Sequence, residues 1–480
     1  MPKREGIITI DNFNQGGLAY SKWSGIKHSL YKLIGWDLHS TVGLLKVAQK
    51  LAKDTSTTIT ALCRERVSSS NGISYWFSYT DGKIWQNKAG TWTLVYTTSP
   101  AAGTAGCFGA IEFQGFIYWA TQSRLHRIAV GSADGAAAWT ANAAPNWATF
   151  TITDAAFHPM IEQNLILFIG DGNYVAQVDA GVFTANALDI KTPLRIKSLG
   201  KIGTDILLGT FIAATVNKAI IFRWDTWSVS FTGIDEVDEV GINAFLPSDN
   251  DNLVFVQAGI VGNIYRYDGE KLEFYIKIPG DYSPTAYGEV YPSSVSSLNG
   301  KILFGFSNGS GNPAEQGVYQ LGRSTGKHNY ILDLPYPISE RSGSSLVMSG
   351  IEIGGILAVG VDLYVSWKNG TTYGIDKLDY SNKMEAGYLE TRLIVIEREK
   401  FSIFPKFVVA YASLPASTAI TIQYSKNYTA YADTTEVTDT ARLIVQSQES
   451  VEATTLQIKV LPTVSGNSAP EIESMGLFPI

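Results

Sequence analysis

From about residue 57 the chain repeats one pattern of apolar and polar positions. An apolar run is followed by a Gly, Asn or Asp turn and then a second run that carries Tyr, Trp or Arg. Ile73-Ser74-Tyr75-Trp76-Phe77 leads to Ile84-Trp85-Gln86, and Phe116-Ile117-Tyr118-Trp119 leads to Leu125-His126-Arg127-Ile128. Aligned on the apolar position, the copies fall at Ile73, Ile117, Ile166, Ile206, Val254, Ile302 and Leu357, at intervals of about 40 to 55 residues. Short apolar runs bounded by turn residues read as strands covered on both faces. A four-strand unit at this period predicts a β-propeller of about seven blades, because one small sheet cannot bury both faces alone and a ring of them can.

The two ends read differently. Gly6 to Ile10 predicts a strand. Ile26, Leu30, Leu33 and Ile34 fall on one face of a helix, with Ser21 or Ser24 as cap and Gly35 as stop. Leu45, Val47, Gln49 and Leu51 alternate with Lys46, Ala48 and Lys50, which predicts a strand, and 42–66 is the candidate to close the ring from the N-terminal side. After Lys383 the long repeat stops. Runs at 388–396, 404–412, 419–424, 441–446, 455–461 and 471–478, punctuated by Pro405, Pro415, Pro462 and Pro470, predict a small β-sandwich. The expected division is an N-terminal docking segment with a short helix at 1–41, a propeller at 42–384 and a sandwich at 385–480.

Composition narrows the function classes. Charged residues are 17% of the chain, aromatics 12%, and there are 45 glycines, which suits many strands joined by tight turns. A net charge of −7 without a basic run argues against binding nucleic acid. The N-terminal MPKREGIITI has no apolar h-region of signal-peptide length and no stretch approaches the length of a membrane helix, so synthesis in a cytoplasm and no membrane insertion are expected. Cys63 and Cys107 lack any CxxC partner and read as buried free thiols.

Candidate chemistry is sparse. His28, His39, His126, His158 and His328 form no metal-binding spacing, and no phosphate loop or nucleophile elbow occurs. No catalytic residue, cofactor or metal ligand is therefore assigned. Ser78-Tyr79-Thr80-Asp81-Gly82-Lys83-Ile84-Trp85 approaches the Asp-box hairpin of sialidase-like propellers with its Asp one place late. Sialidase chemistry would need an arginine cluster, for which Arg223, Arg266 and Arg341 are the candidates. The acidic stretches 235–239 and 249–252 lack the spacing of a calcium loop. Aromatics expected in loops can pack blades, stack on sugars or anchor partners. The interaction candidates are Phe13, Trp23, Trp36, His39, Trp92, Trp139, Trp227, Tyr282 and Tyr287, with Trp147 and Tyr291 in the same loop class.

The run Asn12-Phe13-Asn14-Gln15-Gly16-Gly17-Leu18-Ala19, then Ser24-Gly25, then Gly35-Trp36-Asp37-Leu38-His39 through Val47, resembles the opening of a group of tailed-phage structural proteins. The ending is similar too, with Leu456-Gln457-Ile458-Lys459-Val460, Ser465-Gly466-Asn467 and Pro470-Glu471-Ile472-Glu473-Ser474. In that group a short segment precedes a propeller and a small sandwich ends the chain. The resemblance implies a multi-copy virion component of the tail, made in the host cytoplasm. Its implied partners are other tail proteins, copies of itself and a host surface glycan or protein. A glycan-binding adhesin and a propeller hydrolase or lyase acting on surface polysaccharide are the alternatives.

Overall fold

The computed structural model describes residues 8–23, 25, 27–54, 59–98, 106–212, 216–250, 252–280, 282, 287–308, 316–323, 329–341, 350–395, 406–437, 444–446 and 455–478. Seven antiparallel blades follow one another at 63–97, 109–149, 160–189, 195–237, 242–277, 288–336 and 351–383. First strands pack one against the next from blade one to blade five; that of blade five, Ile242–Pro247, meets Lys301–Asn308 of blade six, Val295–Leu298 of blade six meets Ile351–Val359 of blade seven, and this strand returns to Cys63–Ser68 of blade one. The outer strand of blade seven is Gln49–Lys53, with Leu51 opposite Leu378. The N-terminal stretch 42–66 thus contains the strand that closes the ring.

Local chemistry explains the hairpins. Gln114-Gly115, Asn299-Gly300, Ala89-Gly90 and Ala180-Gly181 each supply two positive φ angles between adjacent strands. That geometry matches the strand twist, and glycine adopts the second angle without steric cost. Small residues then let the blades close up. Gly170, Gly209 and Gly305 lie in the second strands of blades three, four and six. A methyl on each would meet the Cγ2 atom of Ile196, Ile242 or Ile353 in the next blade at 2.8, 2.6 and 2.1 Å. Between blades the core is aromatic and aliphatic, as in the Tyr75, Phe77, Trp119 and Trp139 cluster of blades one and two.

The sandwich is composite. In one sheet Glu471–Phe478 pairs with Ile8–Ile10, with Leu45–Val47 and with Lys406–Tyr411. In the other, Leu30–Ile34 lies between Tyr388–Thr391 and Ile331–Tyr336, the last strand of blade six. The sandwich is therefore continuous with the propeller. One hydrophobic core joins Phe13, Leu33 and Trp36 to Phe304 and Leu332 of blade six and to Tyr388, Val460 and Ile472 near the C-terminus.

This corrects the expected helix at 26–34. Residues 30–34 are a strand, and the described helix of the N-terminal segment is the four-residue turn Phe13–Gly16. The pairing of 30–34 with 388–391 slips between Leu30 and Lys32. A bulge breaks period-two alternation and leaves apolar residues at i, i+3 and i+4, which imitates a helix. Leu33 and Ile34 point to opposite faces and both are buried, because the strand is covered on each side. The predicted strand 45–51 is likewise two strands, one in the sandwich and one in blade seven, parted at Ala48. Pro462 lies inside the strand Thr455–Thr463 instead of between strands.

Candidate functional site

The central channel is built from the first strands of the blades; four of these carry a register shift, that of blade seven between Ile353 and Ile356, and in three it falls at the first or second residue of the strand. Pairing slips between Cys63 and Glu65 in blade one, Ile196 and Ser198 in blade four, and Ile242 and Ala244 in blade five. The extra residues are Arg64, Lys197 and Asn243. A bulge turns a side chain out of the alternating pattern, and here it brings polar side chains into one network. Lys197 Nζ lies 2.7 Å from both Asn243 Oδ1 and Glu289 Oε2. Asn243 Nδ2 donates to Gln257 Oε1 at 2.8 Å and to the Gly259 carbonyl at 2.6 Å.

At the mouth, Arg64 is clamped between two rings, 3.6 Å from the centroid of Tyr79 and 3.9 Å from that of Tyr291. Tyr291 donates to Glu352 Oε2 at 3.3 Å, and Lys368 Nζ lies 2.5 Å from Glu352 Oε1. Arg64 Nη2 stays 3.9 Å from Glu352. Arg64 Nε is buried and makes no hydrogen bond among the described residues. These groups, with Thr80, Tyr287 and Tyr373, line a cavity of about 490 Å³ between blades one, six and seven. Burial raises the Glu289 carboxyl, but Lys197 and Arg64 outweigh it and hold Glu289 below its ordinary range. One layer deeper, burial pushes Glu65 up to about 7 while Arg66 and Arg64 pull the other way. Arg66 spans the channel wall, donating to the Ile356 and Val295 carbonyls at 2.6 and 2.8 Å.

The residues singled out in the sequence fall in other places. Phe13, Trp36, Trp92, Trp139 and His39 are buried, so they are corrected from interaction candidates to core residues. Trp92 donates to Asp54 and Trp139 to the Ala133 carbonyl, each satisfying its indole N–H. His39 faces buried Asp333 at 3.7 Å. Half-buried Tyr282 donates to the Ile278 carbonyl. Trp23, Trp227 and Tyr287 are 56%, 79% and 42% exposed, and of all these only Tyr287 reaches the channel mouth. Trp147 is half-buried under Arg127.

The candidate arginines lie as follows. Arg223 pairs with Asp205 and donates to the Gly269 carbonyl on the third strand of blade four, and Arg266 sits on the third strand of blade five. The Arg341 side chain and His328 lie outside the described residues. Asp81 of the Asp-box-like segment accepts from Ser78, Thr60 and the Lys83 N–H, a hairpin brace. The acidic stretches brace turns as well: Asp235 accepts from Tyr267, Glu239 from Asn263 and Tyr265, and Asp249 from Arg323. Both cysteines are buried and free.

Sequence reading missed Arg64, Lys197, Asn243, Glu289 and Glu352. The apolar alignment falls on the second strands of blades one to six and, at Leu357, on the first strand of blade seven. The signal sits at the first strands, where Cys63-Arg64, Ile196-Lys197 and Ile242-Asn243 repeat an apolar-polar step at the bulge.

No family model matches the chain, and no curated protein matches it. Among solved structures it is similar to the extracellular domain of a one component system from B. thetaiotaomicron, at 13% identity and a TM-score of 0.48. That match covers 83% of this chain and 48% of the other, so this chain spans about half of that protein's length. It is also similar to streptogramin B lyase, at 12% identity over 68% of this chain and 97% of the other, with a TM-score of 0.45. The Dos1 propeller matches at 11% identity over 69% and 95%, with a TM-score of 0.42.

Proposed function

We propose that this chain is a structural subunit of a tailed-phage virion, present in several copies in the tail, and that it works by binding and assembly instead of catalysis. One observation carries the reading. The two stretches that resemble tailed-phage structural proteins lie at opposite ends of the chain, yet they form one unit. Ile8–Ile10 and Leu45–Val47 pair with Glu471–Phe478, and Lys46 bonds Glu471 at 2.8 Å. The resemblance therefore falls on one composite domain mounted on blade six, as expected of an attachment piece on a rigid body.

That domain also carries an exposed aromatic and basic patch. Trp23 and Tyr428 have ring centroids 5.8 Å apart, with Lys22 Nζ 5.4 Å from the Trp23 ring. Aromatic and basic groups of this kind anchor protein interfaces, so the reading places contacts with neighbouring tail subunits here. The pairing of Glu289 with Lys197 and of Glu352 with Lys368 supports binding over acid-base chemistry at the channel mouth, since both carboxylates are tied to a cation. Mass spectrometry of purified particles tests the assignment. Peptides of this chain are expected in intact particles at several copies each, and their absence from particles when the lysate contains them would refute it.

A further inference from the structure

We infer that the channel mouth binds a carboxylated sugar, its carboxylate held by the Arg64 guanidinium and its ring laid against the surrounding tyrosines. The inference gives the glycan-binding alternative a site. It rests on that alternative alone and is independent of virion assembly.

Arg64 is the starting point. Its guanidinium is fixed between Tyr79 and Tyr291, so it cannot swing away to find another partner. Its side chain is 15% exposed, and among the described residues its buried Nε makes no hydrogen bond and its nearest carboxylate, Glu352, is 3.9 Å away. Glu352 is already held by Lys368 and Tyr291. The part of this planar guanidinium that lines the cavity offers N–H donors in a fixed fork, the geometry that a planar carboxylate accepts.

The charge balance selects the ligand. Around the cavity Arg64, Lys197 and Lys368 stand against Glu289 and Glu352, and one layer deeper burial pushes Glu65 up to about 7 beside Arg66. Cations outnumber carboxylates at the mouth by one, which favours an anionic ligand of low charge. The same carboxylates, with Thr80 on the cavity wall, are acceptors for sugar hydroxyls. Tyr79, Tyr287, Tyr291 and Tyr373 supply apolar faces with polar tips, and a cavity of about 490 Å³ lies within the range small ligands occupy.

The test uses the full chain and titration calorimetry. The probes are the methyl glycosides of glucuronic, galacturonic and N-acetylneuraminic acid, with methyl glucoside, methyl galactoside and acetate as comparisons. At least one acidic sugar is expected to bind saturably, about tenfold or more tighter than the neutral sugars and than acetate. Arg64→Gln is expected to weaken it about tenfold or more, and Arg64→Lys is expected to restore only part, since an ammonium lacks the fork. Tyr287→Ala, at the exposed rim, is expected to weaken binding severalfold with an unchanged melting temperature, which keeps the test informative if the Arg64 variants do not fold. Any of three results would overturn the inference: no acidic sugar binds, neutral sugars or acetate bind as tightly, or a folded Arg64→Gln protein binds as before.

Discussion

His126 shows how much one side chain is committed by its surroundings. Its Nδ1 accepts the Asn146 N–H at 3.0 Å, so the proton sits on Nε2, 3.0 Å from Thr121 Oγ1. The ring stacks on Trp119 at 5.2 Å between centroids. Burial first, and then Arg124, lower its pKa from 6.5 to about 4. A base whose folded pKa is depressed stabilises the fold fully above its unfolded pKa and loses that contribution as pH falls. The window here is pH 6.5 down to 4. His126→Gln keeps an acceptor for Asn146 without a titrating group. The stability of the wild type relative to this variant is therefore expected to fall across that window, by about 3 kcal/mol at full effect. Chemical denaturation at pH 7 and pH 4 measures it, and a gap that does not change with pH would contradict the assignment. None of this was legible in the sequence, where His126 is only a lone histidine on a strand. Its partners come from two places, Thr121 from the turn before its own strand and Asn146 from the fourth strand of blade two, which no spacing in the sequence marks.

At the scale of elements, two substitutions probe how the blades are made and joined. Asn164-Leu165 occupies a hairpin turn of blade three with φ of 53° and 62°. Leu165 is 72% exposed, so it gains little burial for adopting the left-handed region. Leu165→Gly is expected to stabilise the protein by about 1 kcal/mol, read as a raised melting temperature, and a loss of stability would contradict the strain argument. Gly305→Ala is expected to do the reverse. Its methyl would fall within 2.6 Å of both Cβ and Cγ2 of Ile353 across the blade six to blade seven contact. A cost of about 1–3 kcal/mol follows from such overpacking, and equilibrium unfolding measures it. The blades were legible because doubly covered second strands stay apolar along their length, as in Ile206-Leu207-Leu208 and Leu303-Phe304. The channel mouth was not, because bulges at Arg64, Lys197 and Asn243 place polar residues by local backbone geometry that no fixed period marks. The strand at 30–34 was misread for the same reason.

The propeller is a ring, and strands from early and late in the chain, Ile8–Ile10 and Glu471–Phe478, pair beside it. The chain forms sandwich strands, closes blade seven with Gln49–Lys53, runs round the ring, and returns to complete the sandwich it began. Because that sandwich shares a sheet with blade six, it is fixed relative to the propeller instead of hanging from a linker. A rigid body with one attachment domain suits repeated, symmetric contacts. Replacing Trp23 and Tyr428 together by Ala is expected to lower the oligomeric state or particle incorporation while leaving the monomer's melting temperature nearly unchanged, since Trp23 and Tyr428 are exposed. Native mass spectrometry and particle assembly in parallel read the two effects. The most direct test of the account is cross-linking mass spectrometry on intact, purified particles with an amine-reactive reagent. The account predicts intermolecular cross-links concentrated on the composite domain, at Lys22, Lys32, Lys46 and Lys459, to other tail proteins or to copies of this chain. Cross-links that come only from the propeller, or particles without the chain, would contradict it.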